Sequence, residues 1–374
     1  MRIVIVGTAY PLRGGIAHYN ALLYQHLSKI HDVSIVTFSR QYPAILFPGK
    51  TQEEQGGAGS IVPSEQLIDS INPFTWITAA RRIAATKPDL LIFKYWIPFF
   101  GPCFAFIAML VKRWTKAKVL FICDNVIPHE KRLGDTVFTR FAFRFVDVFI
   151  VQSKAVERDL NHFLPGARYS LVPHPVYEIF GKGIAKVAAR QSLVLNDERI
   201  ILFFGYIRRY KGLHILLDAM PIILKTMKVK LLVVGEFYGE ESLYRQQIET
   251  NGLADHVAVY SGYVPNKEVG LYFSASDVVV LPYVSATQSG IVQIAYQFDK
   301  PVIATDVGGL AEVVLNERTG FIVAPNQPEE VARAVVRFYE EGREEQFVRT
   351  VAREKTKYTW DALVVAIEQL SAPH

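Results

Sequence analysis

The sequence contains little cysteine, which limits the ways in which the fold can be stabilised. Only two cysteines occur among 374 residues, Cys103 and Cys123, and neither has a metal-ligand spacing. Both stand in apolar surroundings, which fits a reducing compartment and argues against a structural zinc site. Hydrophobic cores must therefore hold the chain together, and 50% of its residues are apolar.

Several targeting and recognition signals are also missing. Met1-Arg2 leads straight into a short strand, which predicts a cytoplasmic chain without a signal peptide. No G-x-G-x-x-G motif follows a strand, which disfavours a dinucleotide-dependent dehydrogenase. No basic helix or aromatic-basic repeat occurs, so nucleic acid is not expected as a partner.

The chain also lacks a long uncharged segment. The run Ile97–Val111 has 15 residues without a charge, but it is short for a transmembrane helix and is interrupted by Pro98 and Pro102. One interpretation is a buried helix between two strands. The other is a patch that touches the inner face of a membrane, because the basic and aromatic segment Lys112–Lys118 follows.

Length and charge both indicate two modules. A chain of 374 residues exceeds the size at which one core stops growing. Residues 1–190 carry 23 Lys and Arg against 13 Asp and Glu, whereas residues 191–374 carry 18 against 23. The halves are thus about +10 and −5. The basic first half could attract an anionic membrane or acceptor.

Both halves alternate predicted strands and helices, the pattern of an α/β fold with parallel sheets. We predict two doubly wound, Rossmann-like domains that face each other across a cleft, at residues 1–178 and 184–357. The linker lies from Pro173 to Gly183, where prolines and glycines interrupt the periodicity. The last helix, within residues 358–374, is expected to pack back on the first domain. Ligands of such sheets bind at the carboxyl ends of the strands.

One turn of the second half concentrates positive charge. The apolar strand that ends at Phe204 is followed by Gly205, then by Arg208, Arg209 and Lys211, and a helix begins near Gly212. Cations beside a helix N-terminus favour a multiply charged phosphate. The alternative is ordinary solvated loop charge.

Three further turns place small residues at a helix start. Gly14-Gly15 follows the first strand, Thr287-Gln288-Ser289-Gly290 follows a strand that ends in Leu281-Pro282, and Gly308-Gly309 precedes Glu312. Such turns offer backbone amides and hydroxyls to phosphate or sugar. Ordinary turns, and an N-cap by Ser289 or Thr287, explain them equally well.

Taken in order, these segments resemble the retaining, nucleotide-sugar-dependent glycosyltransferases of the GT-B fold, in glycosyltransferase family 4 (glycosyl transferases group 1). The resemblance extends over essentially the whole chain. It rests on the segments Gly14-Gly15, 205–212, 234–236, 262–265, 275–277, 300–312 and 319–321.

The resemblance implies roles for particular residues. Arg208 and Lys211 would neutralise the departing diphosphate without a metal. Backbone around Val264 would meet the nucleotide base, and amides of Gly15 and of Ser289-Gly290 would meet the phosphates. Gly14, Gly205, Thr287, Gln288 and Glu312 complete the expected donor-binding set. No cofactor is implied, because the nucleotide sugar is a substrate.

Three positions depart from the family pattern. Ala286 and Ile294 stand where the family usually has two glutamates, so sugar and ribose contacts must come from elsewhere, with Thr287, Gln288 and Ser289 as candidates. Tyr206 stands where an arginine often follows the glycine, which leaves Arg208 for the phosphate and Arg209 as the fallback.

The third departure concerns the residue that faces the reacting sugar. Where the family commonly has a histidine, this chain has Asp124, and His129 follows five residues later. Asp124 could steady positive charge on the sugar or orient the acceptor hydroxyl. It could equally cap a loop beside Asn125. His129 could replace the histidine or cap a turn.

The expected function is therefore transfer of a hexose from a nucleoside diphosphate sugar to a hydroxyl of a glycan or lipid-linked acceptor. Two alternatives remain open at this stage. One is a nucleotide-sugar epimerase, which would need acidic and basic groups around the sugar. The other is a degenerate protein that binds the nucleotide sugar without turnover, which the missing glutamates allow.

Overall fold

The computed structural model describes residues 1–43, 51–53, 62–128, 132–195 and 198–372. The chain divides into two compact units. The first consists of Met1–Pro175 and Thr359–His374, and the second of Val176–Tyr358. Each is built around its own parallel sheet.

The first unit has a parallel sheet of seven strands in the order β3-β2-β1-β4-β5-β6-β7. The strands are β1 (Arg2–Val6), β2 (Asp32–Arg40), β3 (Glu65–Asp69), β4 (Leu90–Tyr95), β5 (Lys118–Cys123), β6 (Val148–Val151) and β7 (Tyr169–Leu171). The helices are α1 (Gly15–Leu27), α2 (Pro73–Ala85), α3 (Gly101–Trp114), α4 (Asp135–Phe143), α5 (Lys154–Phe163) and the last helix of the chain, α14 (Trp360–Ser371). The order reverses direction between β1 and β4.

The second unit has a parallel sheet of six strands in the order β10-β9-β8-β11-β12-β13. They are β8 (Arg199–Phe204), β9 (Val229–Gly235), β10 (Val257–Ser261), β11 (Val278–Leu281), β12 (Val302–Thr305) and β13 (Gly320–Val323). The helices are α6 (Lys186–Ser192), α7 (Leu213–Leu224), α8 (Glu241–Thr250), α9 (Asn266–Ala275), α10 (Gly290–Gln297), α11 (Leu310–Val313), α12 (Pro328–Glu340) and α13 (Glu344–Glu354). Here the order reverses between β8 and β11.

The central strands are buried and largely apolar because helices cover both faces of a parallel sheet. All six residues of β4 and all four of β11 are buried. Two α/β domains with parallel, doubly wound sheets are therefore confirmed. In each sheet the strand order reverses at one point, which is where ligands of doubly wound sheets bind.

The uncharged run Ile97–Val111 lies mostly in α3 and faces the core. Cys103, Phe104, Ile107 and Val111 are completely buried within it. The interpretation as a buried helix between two strands is confirmed, and contact of this region with a membrane stays a prediction. In the described parts of the chain, no helix combines the length and apolar character needed to cross a bilayer.

The last helix, α14, belongs to the first unit. The Trp360 ring lies 5.0 Å from the Tyr19 ring of α1, and the Lys118 ammonium donates to the Ser371 carbonyl at 3.1 Å. The chain thus returns to the sheet in which it began.

Candidate functional site

The segment 205–212, which carries Arg208, Arg209 and Lys211, is called the cationic turn. It lies where the strand order of the second sheet reverses. Two loops meet there, one after β8 and one after β11. Gly212 adopts φ +72°, and a Cβ at this residue would lie 1.9 Å from the Pro282 carbonyl oxygen, so only glycine fits. The Val284 amide also donates to the Tyr210 carbonyl at 2.7 Å. These contacts hold the cationic turn against the loop that leads to α10.

Lys211 points its ammonium back toward Gly205. A Cβ at Gly205, which has φ +107°, would lie 3.4 Å from Lys211 Nζ. Burial, together with the positive charge of Arg208, lowers the Lys211 pKa to about 8. In the described part of the chain, the Lys211 ammonium has no hydrogen bond or ion pair; the Tyr283 ring lies 5.8 Å away.

Arg208 rests on an aromatic stack that the sequence did not reveal. Its guanidinium lies 5.3 Å from the centre of the Tyr238 ring, and Tyr238 stacks on Tyr206 at 4.6 Å with 16° between the planes. Tyr206, the residue that departs from the family pattern, therefore supports the side chain assigned to the phosphate. Arg209, the fallback, is exposed. No carboxylate is paired with Arg208 within the described residues.

The turn before α10 serves as a helix cap. Ser289 Oγ accepts from the Ile291 amide at 3.2 Å, so the N-cap interpretation holds for this residue. The Thr287 carbonyl accepts from the Gly309 amide at 3.0 Å, which ties this turn to the Gly308-Gly309 turn. Gln288 and Gly290 are partly exposed beside them.

The two apolar residues of this region are buried. Ala286 is 8% exposed and Ile294 is 6% exposed, so both fill the core of the second unit. Neither side chain has a hydrogen-bonding group. Any polar contact to a ligand from this turn must come from neighbouring residues or from the backbone.

Val264 and Glu312 lie further from the cationic turn. Val264 follows β10, which is two strands away from β8, or about 10 Å across the sheet. Glu312 lies in α11 after β12, also two strands away on the other side, and is partly exposed. The structure thus groups Gly205, Arg208 and Lys211 with the turn before α10, and places these two residues toward the flanks.

In the first unit, Gly14 and Gly15 lie where the order of the first sheet reverses. Gly14 is the N-cap of α1 with φ +109°, and Gly15, the first helical residue, is exposed. They follow β1, whose neighbour is β4. Asp124 follows β5, the next strand of the same sheet.

Asp124 belongs to a buried ion pair. Lys94, at the end of β4 and 1% exposed, places its Nζ 2.6 Å from Asp124 Oδ1. The same ammonium donates to Gln152 Oε1 at 2.9 Å and lies 3.4 Å from the centre of the Tyr19 ring. Gln152 in turn donates to the Tyr19 hydroxyl at 3.0 Å. Asp124 is therefore fixed by a lysine across the sheet.

Two histidines of the first unit are buried and neutral. Burial lowers the His18 pKa to about 4. Burial and the charge of Lys94 lower the His174 pKa to about 3, and its ring packs edge-on against Tyr19 at 5.0 Å. Neither is positively charged near pH 7. His129 lies outside the described residues, so its role stays a prediction.

No three His, Cys, Asp or Glu side chains come together as a possible metal site in the described ranges. The site of the second unit consists instead of two cations, a capped helix start and backbone amides. That set of groups suits a multiply charged anion.

Comparison with known proteins places a family match on the second unit. Residues 198–341 match the family described as Glycosyl transferases group 1. An uncharacterized glycosyltransferase of Methanocaldococcus jannaschii is 30% identical over 179 residues, 47% of this chain and 45% of that protein. D-inositol 3-phosphate glycosyltransferase of Paenarthrobacter aurescens is 31% identical over 172 residues, 45% of this chain and 42% of that protein. The chain thus spans less than half the length of these curated relatives.

The solved structures add a likeness of fold. HepE of Anabaena, determined in complex with UDP and glucose, has a TM-score of 0.77 and 18% identity, covering 99% of this chain and 98% of that chain. Two parallel α/β domains of seven and six strands match the GT-B structures, which confirms the predicted fold class.

Proposed function

We propose that the protein transfers a hexose from a nucleoside diphosphate sugar to a hydroxyl of a glycan or lipid-linked acceptor. The observation that carries the proposal is the pair of cations that lies where the strand order of the second sheet reverses, between β8 and β11. Lys211 is enclosed beside Arg208, and in the described chain neither has a carboxylate partner. An enclosed cation with no counter-ion is unfavourable unless a ligand supplies the negative charge.

The family match and the names of the relatives support the same activity. The retaining outcome and membership of glycosyltransferase family 4 are carried by the resemblance of the sequence segments. We therefore propose them together with the activity.

In this mechanism Arg208 and Lys211 stabilise the charge that develops on the departing diphosphate. The charge is greatest in the transition state, so cations held in place beforehand lower the barrier. We propose front-face attack, in which the leaving phosphate accepts the proton of the acceptor hydroxyl. The bond from the anomeric carbon to the phosphate oxygen breaks while the bond to the acceptor oxygen forms on the same face.

The proposal assigns the remaining donor contacts to backbone and small polar groups. The partly exposed Gln288 and the amides at the start of α10 replace the side chains missing at Ala286 and Ile294. Glu312 and the backbone at Val264 would reach the donor from the flanks. Asp124 would orient the acceptor or steady positive charge on the sugar, held in place by Lys94.

The first experiment identifies the nucleotide. Melting temperature is measured with UDP, GDP and ADP, with UDP first because HepE was determined with UDP and glucose. A diphosphate at one hundred times its Kd should stabilise the fold by about 2.7 kcal/mol. No stabilisation by any of the three would contradict the proposal.

The second experiment measures transfer. The matching nucleotide sugar is incubated with a lipid or glycan extract, and release of the nucleoside diphosphate is followed. Release that depends on the extract supports transfer, whereas tight binding without release would identify a binding protein. Activity that survives a chelator supports the metal-independent mechanism, and the anomeric configuration of the product tests retention.

A further inference from the structure

Helix α4 carries an exposed apolar stripe on the outside of the first unit. Leu133, just before the helix, is fully exposed, Val137 is 66% exposed and Phe141 is 38% exposed. Val137 and Phe141 are four residues apart, so they lie on one face of the helix, and Leu133 lies just before its start. The opposite side, with Ala142 and Phe143, is buried in the core. The stripe therefore remains outside after the helix has packed.

Arginines lie within the same stripe. Arg140 and Arg144 continue the helical spacing, and Arg132 precedes Leu133; all three are exposed. Within the described residues, none of them forms an ion pair. The nearby Asp147 is already paired with Lys112 at 2.6 Å. The surface is thus both apolar and positively charged.

The end of α3 extends this surface. Near the start of α3, a Cβ at Gly101 would lie 2.6 Å from the Phe138 carbonyl oxygen of α4. Near its end, Lys112 meets Asp147 just beyond α4. The two helices therefore run alongside each other in the same direction. Trp114, which is 44% exposed, lies at the Arg144 end. Its exposed neighbours Arg113 and Lys116 add positive charge.

We propose that this region docks on an anionic lipid bilayer. It consists of Leu133, Val137, Phe138, Arg140, Phe141 and Arg144, and is called the α4 surface. An amphipathic helix with apolar side chains between arginines binds the boundary of headgroups and acyl chains. Each arginine adds attraction to anionic lipid, and Trp114 matches the aromatic residues found at that depth.

The positive charge of the α4 surface indicates which partner binds it. A second copy of the chain would bring the same arginines against one another, which is repulsive. The negative surface of a bilayer complements all of them together. The proposal stands apart from the proposed transfer reaction, although a docked enzyme would reach a lipid-linked acceptor without extracting it from the membrane.

The test is vesicle flotation of the full chain. The vesicles contain either phosphatidylcholine alone or phosphatidylcholine with phosphatidylglycerol. Binding is expected only with phosphatidylglycerol and should weaken as salt is raised. The double variant Arg140→Gln/Arg144→Gln should bind roughly thirtyfold more weakly, at about one kcal/mol for each arginine. The variant Val137→Ser/Phe141→Ser should also lose binding, because the apolar contribution is removed.

Matched controls come from the second unit. Lys225 and Lys228 are exposed, so Lys225→Gln/Lys228→Gln makes the same change in net charge, and Leu243→Ser removes an exposed apolar residue of α8. These variants should bind vesicles as the parent does. Equal loss in the controls would reduce the effect to net charge and overturn the proposal.

Two other results would also overturn it. One is absence of flotation with phosphatidylglycerol at low salt. The other is a dimer in sedimentation that the α4 variants dissociate, which would assign the surface to self-association. Melting temperature shows that the variants fold, and nucleotide-sugar turnover with a water-soluble acceptor should stay unchanged in them. Failure of docking is thereby separated from failure of the proposed transfer reaction.

Discussion

The two units each enclose a lysine near the carboxyl ends of the central strands, but under opposite electrostatic conditions. Lys94 of the first unit has a carboxylate, an amide oxygen and an aromatic face around its ammonium. Lys211 of the second unit has Arg208 beside it and, in the described chain, no anion. Burial lowers both pKa values, but Asp124 opposes the effect at Lys94 whereas Arg208 adds to it at Lys211.

Under the proposed function, this difference separates a cation that supports the fold from one that binds a ligand. A buried charge with a good partner is strongly coupled to that partner, and removal of either one leaves the other uncompensated. A partly buried cation beside another cation is destabilising in the free protein. Such an arrangement is expected where an anion is bound and where its charge grows during a reaction.

The largest expected effect is on stability, at Lys94. The variant Lys94→Met leaves the Asp124 carboxylate buried without its cation, so the free energy of unfolding should fall by about 3–5 kcal/mol. All four tryptophans, Trp76, Trp96, Trp114 and Trp360, belong to the first unit. Tryptophan fluorescence in urea therefore reports on that unit alone.

The controls for Lys94 use one exposed lysine and one double variant. Lys116→Met changes an exposed lysine of the same unit and should alter the unfolding free energy by less than about 0.5 kcal/mol. Lys94→Met/Asp124→Leu should recover much of the lost stability because no buried charge remains. If Lys94→Met unfolds at the same urea concentration as the parent, the ion pair does not support the fold.

The second largest expected effect is a loss of turnover when Lys211 is replaced. The variant Lys211→Ala should lower kcat/KM for the nucleotide sugar by roughly 10²–10³, the range for loss of one group that stabilises transition-state charge. The melting temperature should stay the same or rise, because the substitution removes a partly enclosed cation that lies beside another cation. Arg209→Ala, which changes the exposed neighbour, should retain most of the activity. Unchanged kinetics in Lys211→Ala would refute its assigned role.

The pKa of Lys211 predicts opposite trends of binding and stability with pH. Since this pKa is about 8, the lysine is charged below pH 8 and loses its charge above it. A bound diphosphate favours the charged form, so affinity should be full below pH 8 and fall by up to tenfold per unit above it. In the unfolded chain the pKa is the ordinary 10.5, so between about 8 and 10.5 the unfolded state binds more protons. The charged lysine therefore destabilises the free fold below about pH 8, and this destabilisation is progressively relieved as pH rises from about 8 to 10.5.

Calorimetric titration with the nucleoside diphosphate at several pH values measures the first trend. The variant Lys211→Ala should bind weakly with little dependence on pH between 8 and 10. If the parent and the variant lose affinity in parallel above pH 8, the titrating group is not Lys211.

The sequence predicted the cationic turn well because its information is local. A buried strand, a glycine, two arginines and a lysine occur within twelve residues, and the structure keeps Arg208 and Lys211 together at the strand reversal. The strands β5 and β13 are also easy to recognise in the sequence, since each is an apolar run bounded by polar or turn residues. The edge strands β3 and β7 give a weaker sequence signal, because they are short and only partly buried.

The buried network of the first unit could not be predicted from the sequence, because its members are distant along the chain. Lys94 lies on β4, and Asp124 and Gln152 directly follow the neighbouring strands β5 and β6, so the three residues are 30 and 28 positions apart. Nothing in a single sequence pairs them. One signal was available, namely a lysine inside the apolar strand Leu90–Tyr95, which implies a buried partner. The stack of Tyr238 on Tyr206 was missed for the same reason of separation.

Removing the Tyr238 ring from this stack should have the smallest of the predicted effects. It also tests whether the second unit holds its anion with the two cations alone. The face of Tyr238 lies under the Arg208 guanidinium at 5.3 Å, and a cation over an aromatic ring contributes about 0.5–1 kcal/mol. Tyr238→Leu should therefore raise the KM for the nucleotide sugar roughly twofold to fivefold, whereas Tyr238→Phe, which keeps the ring, should resemble the parent. In a double-mutant cycle with Arg208→Ala, the effect of Tyr238→Leu should disappear, because the ring acts only by holding the guanidinium. Additive losses would instead mean that Tyr238 contacts the ligand itself, and the second unit would then recognise its anion with an aromatic group as well as with two cations.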